Sequence, residues 1–227
     1  MLENNDLYLE LIEKISKMAK TEGINNIISP AIWGIDRASE IKKELNQNFN
    51  FIENISKTPS IAGIRLSKVI NKYLIENNIK VVKEKVVKFE SYKNRISSLT
   101  TNKGTKIETS AVILATGKFL GGGIDTNQGY QESIFDIPVF YNGQVVSKNI
   151  KEPMFENSYF RKQPVFSLGI KINDRFQPLN IDNKVLFNNL FAAGNIISGY
   201  NYIAREGGFG VAISTGYKAA KSLSQII

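Results

Sequence analysis

Near the end of the chain, Gly207, Gly208 and Gly210 open an apolar, helix-like run that continues through Val211 and Ala212. Positions without a Cβ let backbone N–H groups approach a flat ligand closely, and a helix N-terminus favours negative charge. The chemistry suited to such a helix start is the holding of a planar, electron-accepting group. Arg205, just before it, has two readings: a guanidinium that grips a phosphate or polarises a developing oxyanion, or a surface arginine paired with Glu206. A second glycine turn ends the apolar run Ala111-Val112-Ile113-Leu114-Ala115 with Thr116-Gly117, and Gly121-Gly122-Gly123 follows. Lys118 either faces a ligand there or is a solvated lysine, the reading favoured by its type. A third turn follows Leu190-Phe191-Ala192-Ala193 at Gly194-Asn195, where the Asn195 amide either touches a ligand or takes a left-handed turn conformation.

Composition limits what these turns can do. The 227 residues include no Cys and no His. Disulfides, zinc sites of the Cys/His type, cysteine-held iron–sulfur clusters and His-dependent nucleophilic catalysis are therefore excluded for this sequence, and redox chemistry would need a bound organic cofactor. With 42% hydrophobic residues the chain can bury one substantial core, with room for a small lobe. The formal charge of +8 is spread along the sequence, as at Lys14, Lys17, Lys20, Lys42 and Lys43. Without a zinc-finger, RNP or basic-region motif to focus it, no nucleic-acid partner is expected, and an anionic substrate, acidic subunit or membrane surface accounts for it equally. No run reaches the roughly 20 apolar residues of a membrane span, and the polar start is unlike a signal peptide. A cytoplasmic chain is expected, peripheral to the inner membrane only through a partner.

Apolar spacing sets out the elements that must carry the turns. Asp6 to Lys20 reads as an amphipathic helix, Ile24 to Ser29 as a strand stopped by Pro30, and Asp36 as the cap of a helix bearing Ile41 and Leu45. Ser60 to Asn77 reads as a helix in which Arg65 makes a structural salt bridge. Lys80 to Glu90 and Arg95 to Thr101 read as strands, as do Phe166 to Ile172 and Arg175 to Leu179. The aromatic-rich stretch from Tyr130 to Arg161 is either a cap over the site or a satellite cluster under long loops, the latter favoured.

Three blocks, in order, resemble the B subunit of anaerobic glycerol-3-phosphate dehydrogenase: Pro59 to Leu66, Ala111 to Gly123, and Asn189 through Ala212, with a weaker echo in Ser29 to Ile35. The resemblance implies an α/β, Rossmann-like FAD/NAD(P)-binding fold remnant with an inserted antiparallel β-rich substrate or cap lobe. It divides the chain into a helix and β-hairpin segment at 60–110, a flavin-side strand-turn at 111–123, a cap-like lobe at 124–180 and a closing strand-helix at 181–227. The family's opening G-x-G-x-x-G loop is absent, so the chain is expected to be the C-terminal part, its N-terminal Rossmann half supplied separately or lost. The implied cofactor is a flavin, FAD or FMN, held by Thr116, Gly117, Gly194, Asn195, Gly207, Gly208, Gly210, Val211 and Ala212, with Arg205 as catalytic residue. The implied reaction oxidises sn-glycerol 3-phosphate to dihydroxyacetone phosphate, electrons passing to quinone with A-type catalytic and iron–sulfur subunits as partners. Open alternatives are another FAD-dependent oxidoreductase, fumarate-reductase-like or tRNA-modifying, and a non-catalytic interface subunit without its own flavin.

Overall fold

Apolar side chains recurring along Asp6 to Lys20 need a surface to bury against, and α1 (Asn5–Glu22) finds it by placing Tyr8 on Trp33. The computed structural model of the chain describes residues 5–54, 60–127, 129–146, 154–158, 160–201, 203–204 and 207–227, divided into two units, Met1–Val82 and Lys83–Ile227. In the first unit, β1 (Asn26–Pro30) and β2 (Asn50–Asn54) pair in parallel, joined through α2 (Ala38–Leu45). Alternation along the strands puts Phe51 into a core with Tyr8, Trp33, Ile41 and Leu45, while the paired residues Ile28 and Ile52 face outward. The Trp33 indole N–H donates to Ser29 Oγ at 2.7 Å, so the buried ring has no orphan donor. Asp36 does not cap α2. Arg37 holds the N-cap position without a side-chain bond, and the Asp36 carboxylate is drawn instead to the Lys68 ammonium at 2.6 and 2.8 Å.

α3 (Ile61–Glu76) starts at Ser60, whose Oγ accepts the Gly63 N–H at 3.1 Å. Arg65 makes the expected structural salt bridge, to Glu53 at 2.6 and 3.0 Å, and also donates twice to the Gly34 carbonyl.

In the second unit, β3 (Val86–Tyr92), β4 (Arg95–Thr101) and β5 (Lys106–Glu108) form an antiparallel sheet in that order. The β3–β4 turn uses Lys93 and Asn94 at positive φ, the pairing that matches the twist of a two-residue hairpin. Residues 80–85, read as part of a strand, precede it without regular structure. β6 (Val112–Leu114) follows. Between it and the last strand lie the hairpin β7 (Ile124–Asp125) and β8 (Gln131–Glu132), then β9 (Val139–Tyr141), β10 (Gln144–Val145) and β11 (Gly169–Ile170), the last three forming an antiparallel sheet in the order β10-β9-β11.

Two expected strands are shorter or missing. Pro164 starts a 3-10 turn over Pro164–Ser167, leaving only Gly169–Ile170 as strand; Arg175 to Leu179 contains a turn in which Asn173 Oδ1 accepts the N–H groups of Arg175 and Gln177. Phe135 and Phe140 are buried, and Phe135 packs in the main core with Leu114, Leu190 and Ala192, not in a satellite cluster. Phe155 and Phe160 are exposed.

β12 (Leu190–Ala192) lies parallel to β6 in the register Leu190↔Val112, Phe191↔Ile113, Ala192↔Leu114. Asn189 fixes that register. Wholly buried, its amide donates to the Ile96 and Ser110 carbonyls and accepts the Ile96 N–H, all at 2.8 to 2.9 Å, while its own carbonyl accepts the Val112 N–H. α4 (Gly208–Leu223) then packs on β12 through Ala219, against Phe191 and Ala193.

Candidate functional site

Because β6 and β12 are adjacent and parallel, the turns that leave their carboxyl ends come out side by side. This is where open α/β sheets bind ligands. The Ala193 N–H donates to the Leu114 carbonyl at 2.9 Å, carrying the pairing to the edge of Ala115-Thr116-Gly117 and Gly194-Asn195. Gly117 and Gly194 both turn the chain there at positive φ, 71° and 74°. Sequence-predicted residues from two blocks far apart in the chain thus share one edge.

At that edge, polar atoms are buried without partners. Thr116 Oγ1 and Asn195 Oδ1 have no hydrogen bond, and neither does the Tyr200 hydroxyl. Buried polar groups are rarely left so, because each costs about 1–3 kcal/mol. The turn around Thr116 is tight: a Cβ on Gly121 would collide with the Thr116 carbonyl, and one on Gly123 with Thr116 Oγ1 and the Gly117 carbonyl. Asn195 sits in a 3-10 turn, Gly194–Ile196, and the left-handed conformation belongs to Gly194, so Asn195 is not the left-handed turn residue.

The start of α4 is bare. Gly207 is its N-cap at φ 139°, makes no side-chain cap, and leaves the first-turn N–H groups without intrahelical acceptors. An added Cβ would meet nothing at Gly210, and at Gly208 only the Tyr200 hydroxyl, 3.9 Å away. Val211 differs from the expectation that its N–H serves a ligand, since that N–H donates to the Gly207 carbonyl at 3.0 Å. Ala212, one residue further, is exposed on the helix. Arg205 and its expected partner Glu206 lie outside the described residues.

Lys118 is not solvated. It is 2% exposed, and its ammonium donates to the Phe166 and Tyr200 carbonyls, both at 2.7 Å. Burial pulls its pKa down from the usual 10.5 to about 8. Glu132 is the buried acid of this unit. Its carboxylate accepts the Ile134 and Phe135 N–H groups, and burial outweighs those bonds, raising its pKa to about 7. Both charges are spent on backbone.

Sequence reasoning missed Thr215, Asn189 and Tyr200. Thr215 Oγ1 accepts the Gly194 N–H at 2.8 Å and donates to the Val211 carbonyl, tying the turn after β12 to α4. The signal was present in the four-residue spacing of Val211, Thr215 and Ala219, one face of a helix.

Comparison with known proteins gives the site its context. The chain is 29% identical over 231 residues to the B subunit of anaerobic glycerol-3-phosphate dehydrogenase from Histophilus somni (strain 2336), covering 98% of this chain and 51% of that protein. It is 27% identical over 205 residues to the probable B subunit of anaerobic glycerol-3-phosphate dehydrogenase from Halobacterium salinarum (strain ATCC 29341 / DSM 671 / R1), covering 87% and 47%. The chain spans about half the length of the curated relatives it matches. Among solved structures, the GidA-related protein from Thermus thermophilus aligns at a TM-score of 0.39 and 12% identity, over 90% of this chain and 99% of that one. The family model described as FAD binding domain matches residues 24–211, a span holding the turns of β6 and β12 and the start of α4. The chain belongs to this FAD-binding-domain family, and its cofactor is a flavin.

Proposed function

We propose that the chain is the flavin-holding part of a glycerol-3-phosphate dehydrogenase that oxidises sn-glycerol 3-phosphate to dihydroxyacetone phosphate. The observation that carries this reading is the orphaned pair Thr116 Oγ1 and Asn195 Oδ1 at the carboxyl ends of adjacent parallel strands, within the span matched by the FAD-binding family. A flavin edge presenting donors and acceptors would satisfy both atoms, and the tight Gly121-Gly122-Gly123 turn and bare Gly208 and Gly210 leave backbone for it to approach. Thr116 and Asn195 would orient the ring system. The Gly208 and Gly210 N–H groups, at a helix N-terminus, would stabilise negative charge there, as oxyanion-hole donors do. A bound flavin supplies the acceptor for hydride from the substrate carbon bearing the hydroxyl.

The hydroxyl proton needs a base. No His exists in this sequence, Lys118 is spent on two carbonyls and Glu132 on two N–H groups. The base is therefore another Asp, Glu or Lys, or comes from another polypeptide. The relatives are named as one lettered subunit of a larger enzyme, which supports A-type and iron–sulfur partner subunits, onward transfer to quinone, and a separate N-terminal Rossmann half. Arg205 remains the proposed catalytic residue, and the 124–180 segment the proposed cap.

The test is optical. Purified chain, alone and mixed with the N-terminal half of a relative, is expected to show flavin absorbance that bleaches anaerobically on adding sn-glycerol 3-phosphate. Absence of flavin in both preparations would overturn the reading in favour of an interface subunit. Bleaching by succinate in its place would point to a fumarate-reductase-like enzyme.

A further inference from the structure

Two cavities in the second unit share Lys162, Gln163, Asn201 and Ala204 and so form two halves of one cleft. One half, about 640 Å³, has an apolar side of Phe155, Phe160, Phe166 and Ile203. The other, about 400 Å³, is polar, adding Tyr141, Asn142 and Ser167 to the shared residues. Volumes of roughly 300–1,000 Å³ are those of small-molecule sites. We propose that the shared wall, Lys162 with Asn201, is an anion subsite that takes the phosphate group of a phosphate monoester substrate.

Asn201 is 8% exposed, and its Oδ1 accepts the N–H groups of Ile203 and Ala204, each at 3.0 Å. Only the carbonyl end of an amide can accept, so the amide orientation is fixed and its NH₂ is the end left for a ligand. Lys162 is exposed and makes no ion pair or hydrogen bond among the described residues. It is the charged residue common to both halves. Glu156 and Arg161 also line the larger half, but they face each other at 3.8 Å and offset one another. No carboxylate lines the polar half among its described residues.

The loop that presents Lys162 is held from within. Gln163 Oε1 accepts the Glu156 N–H at 2.8 Å, and its Nε2 donates to the Ser158, Arg161 and Glu156 carbonyls at 2.9 to 3.4 Å. Gln163 is thus committed to backbone, and the ammonium and the Asn201 amide remain as donors. Two donors, one cationic, with no facing acid fit a phosphate monoester and reject the neutral polyol.

This subsite rests on the dehydrogenase reading for the rest of its substrate, a small polyol. The test is calorimetric titration of the full chain with inorganic phosphate, sn-glycerol 3-phosphate and glycerol. Phosphate and glycerol 3-phosphate are expected to compete for one site, and glycerol to give no heat. Lys162→Ala, at an exposed position, should weaken both anions at least tenfold without changing the melting curve. Asn201→Asp keeps both acceptor contacts but replaces the donor with a negative oxygen, and should weaken them as much; Lys162→Arg should retain most binding. No anion binding by the native chain, or unchanged binding in Lys162→Ala and Asn201→Asp, would overturn the subsite. Anion binding lost in the variants without flavin bleaching by glycerol 3-phosphate would leave the subsite and sink the dehydrogenase; bleaching at unaltered half-saturation in both variants would do the reverse.

Discussion

Thr116 carries a hydroxyl that costs the protein stability unless something binds it, which makes its removal informative in two directions. Thr116→Val keeps the shape and deletes the orphan, so the flavin-free chain should melt at the same temperature or higher. Flavin affinity should fall by one hydrogen bond, about 0.5–1.5 kcal/mol or roughly 2- to 12-fold, measured by fluorescence titration. Unchanged affinity would remove Thr116 from the site. Glu132 and Lys118 test burial through pH. The folded state holds the Glu132 proton more tightly, pKa about 7 against an ordinary 4.5, so its stabilising contribution is full below 4.5 and lost as pH rises through about 7. The change is on the order of 3 kcal/mol. Urea melts of Glu132→Gln should be flat in that interval where the native chain's stability declines. Lys118 works on the alkaline side. Its folded pKa of about 8 lies below 10.5, so the unfolded chain binds more protons between those values and stability should rise with pH there.

Turns, not side chains alone, decide whether β6, β12 and α4 meet. Gly123→Ala places a methyl against the Thr116 hydroxyl and Gly117 carbonyl, which backbone cannot yield easily, and should cost roughly 1–3 kcal/mol in a denaturant melt. Gly210→Ala meets nothing and should be neutral or stabilising by up to about 1 kcal/mol, Ala being the better helix former. If the α4 start approaches flavin through bare backbone, the same variant should bind flavin more weakly. Normal flavin binding in Gly210→Ala would place the cofactor away from that helix. The glycines were legible in the sequence because a run such as Gly207-Gly208-Phe209-Gly210 violates helix propensity and so advertises a backbone purpose. Arg65 was legible because a charge among apolar helix residues needs a partner. Lys118 was not, since two carbonyls from residues 166 and 200 bury it and no local pattern reports partners so distant. The same holds for Asn189, whose contacts reach back to Ile96 and Ser110. The 166–179 stretch departs from its strand pattern because Pro164 and Asn173 redirect the backbone through local hydrogen bonds that outweigh β propensity.

At the scale of the molecule, each unit owns a hydrophobic core. Tyr8, Trp33, Ile41, Leu45 and Phe51 close the first, while the second gathers Leu114, Ile137, Val139, Ile170 and Leu190. Every proposed flavin contact within the described residues lies in the second unit, Lys83–Ile227. Between the cores the chain runs through residues 80–85 without regular structure, and Lys80, Lys83 and Lys85 are exposed there. Three exposed lysines on irregular backbone are what trypsin needs, whereas lysines on α1 or α4 are held in helical hydrogen bonds. Brief digestion is expected to cut first in this stretch and yield two fragments, identified by mass spectrometry. The larger fragment should keep cooperative thermal unfolding, since its core, its β6–β12 pair and α4 are all retained. If first cuts fall elsewhere, or cleavage at 80–85 leaves the larger fragment without a melting transition, the units depend on each other for folding and the division at Val82 is not an independent one. Retention of the phosphate-binding heat by that fragment would further place the Lys162–Asn201 subsite wholly within it, because both residues and the loop held by Gln163 travel together.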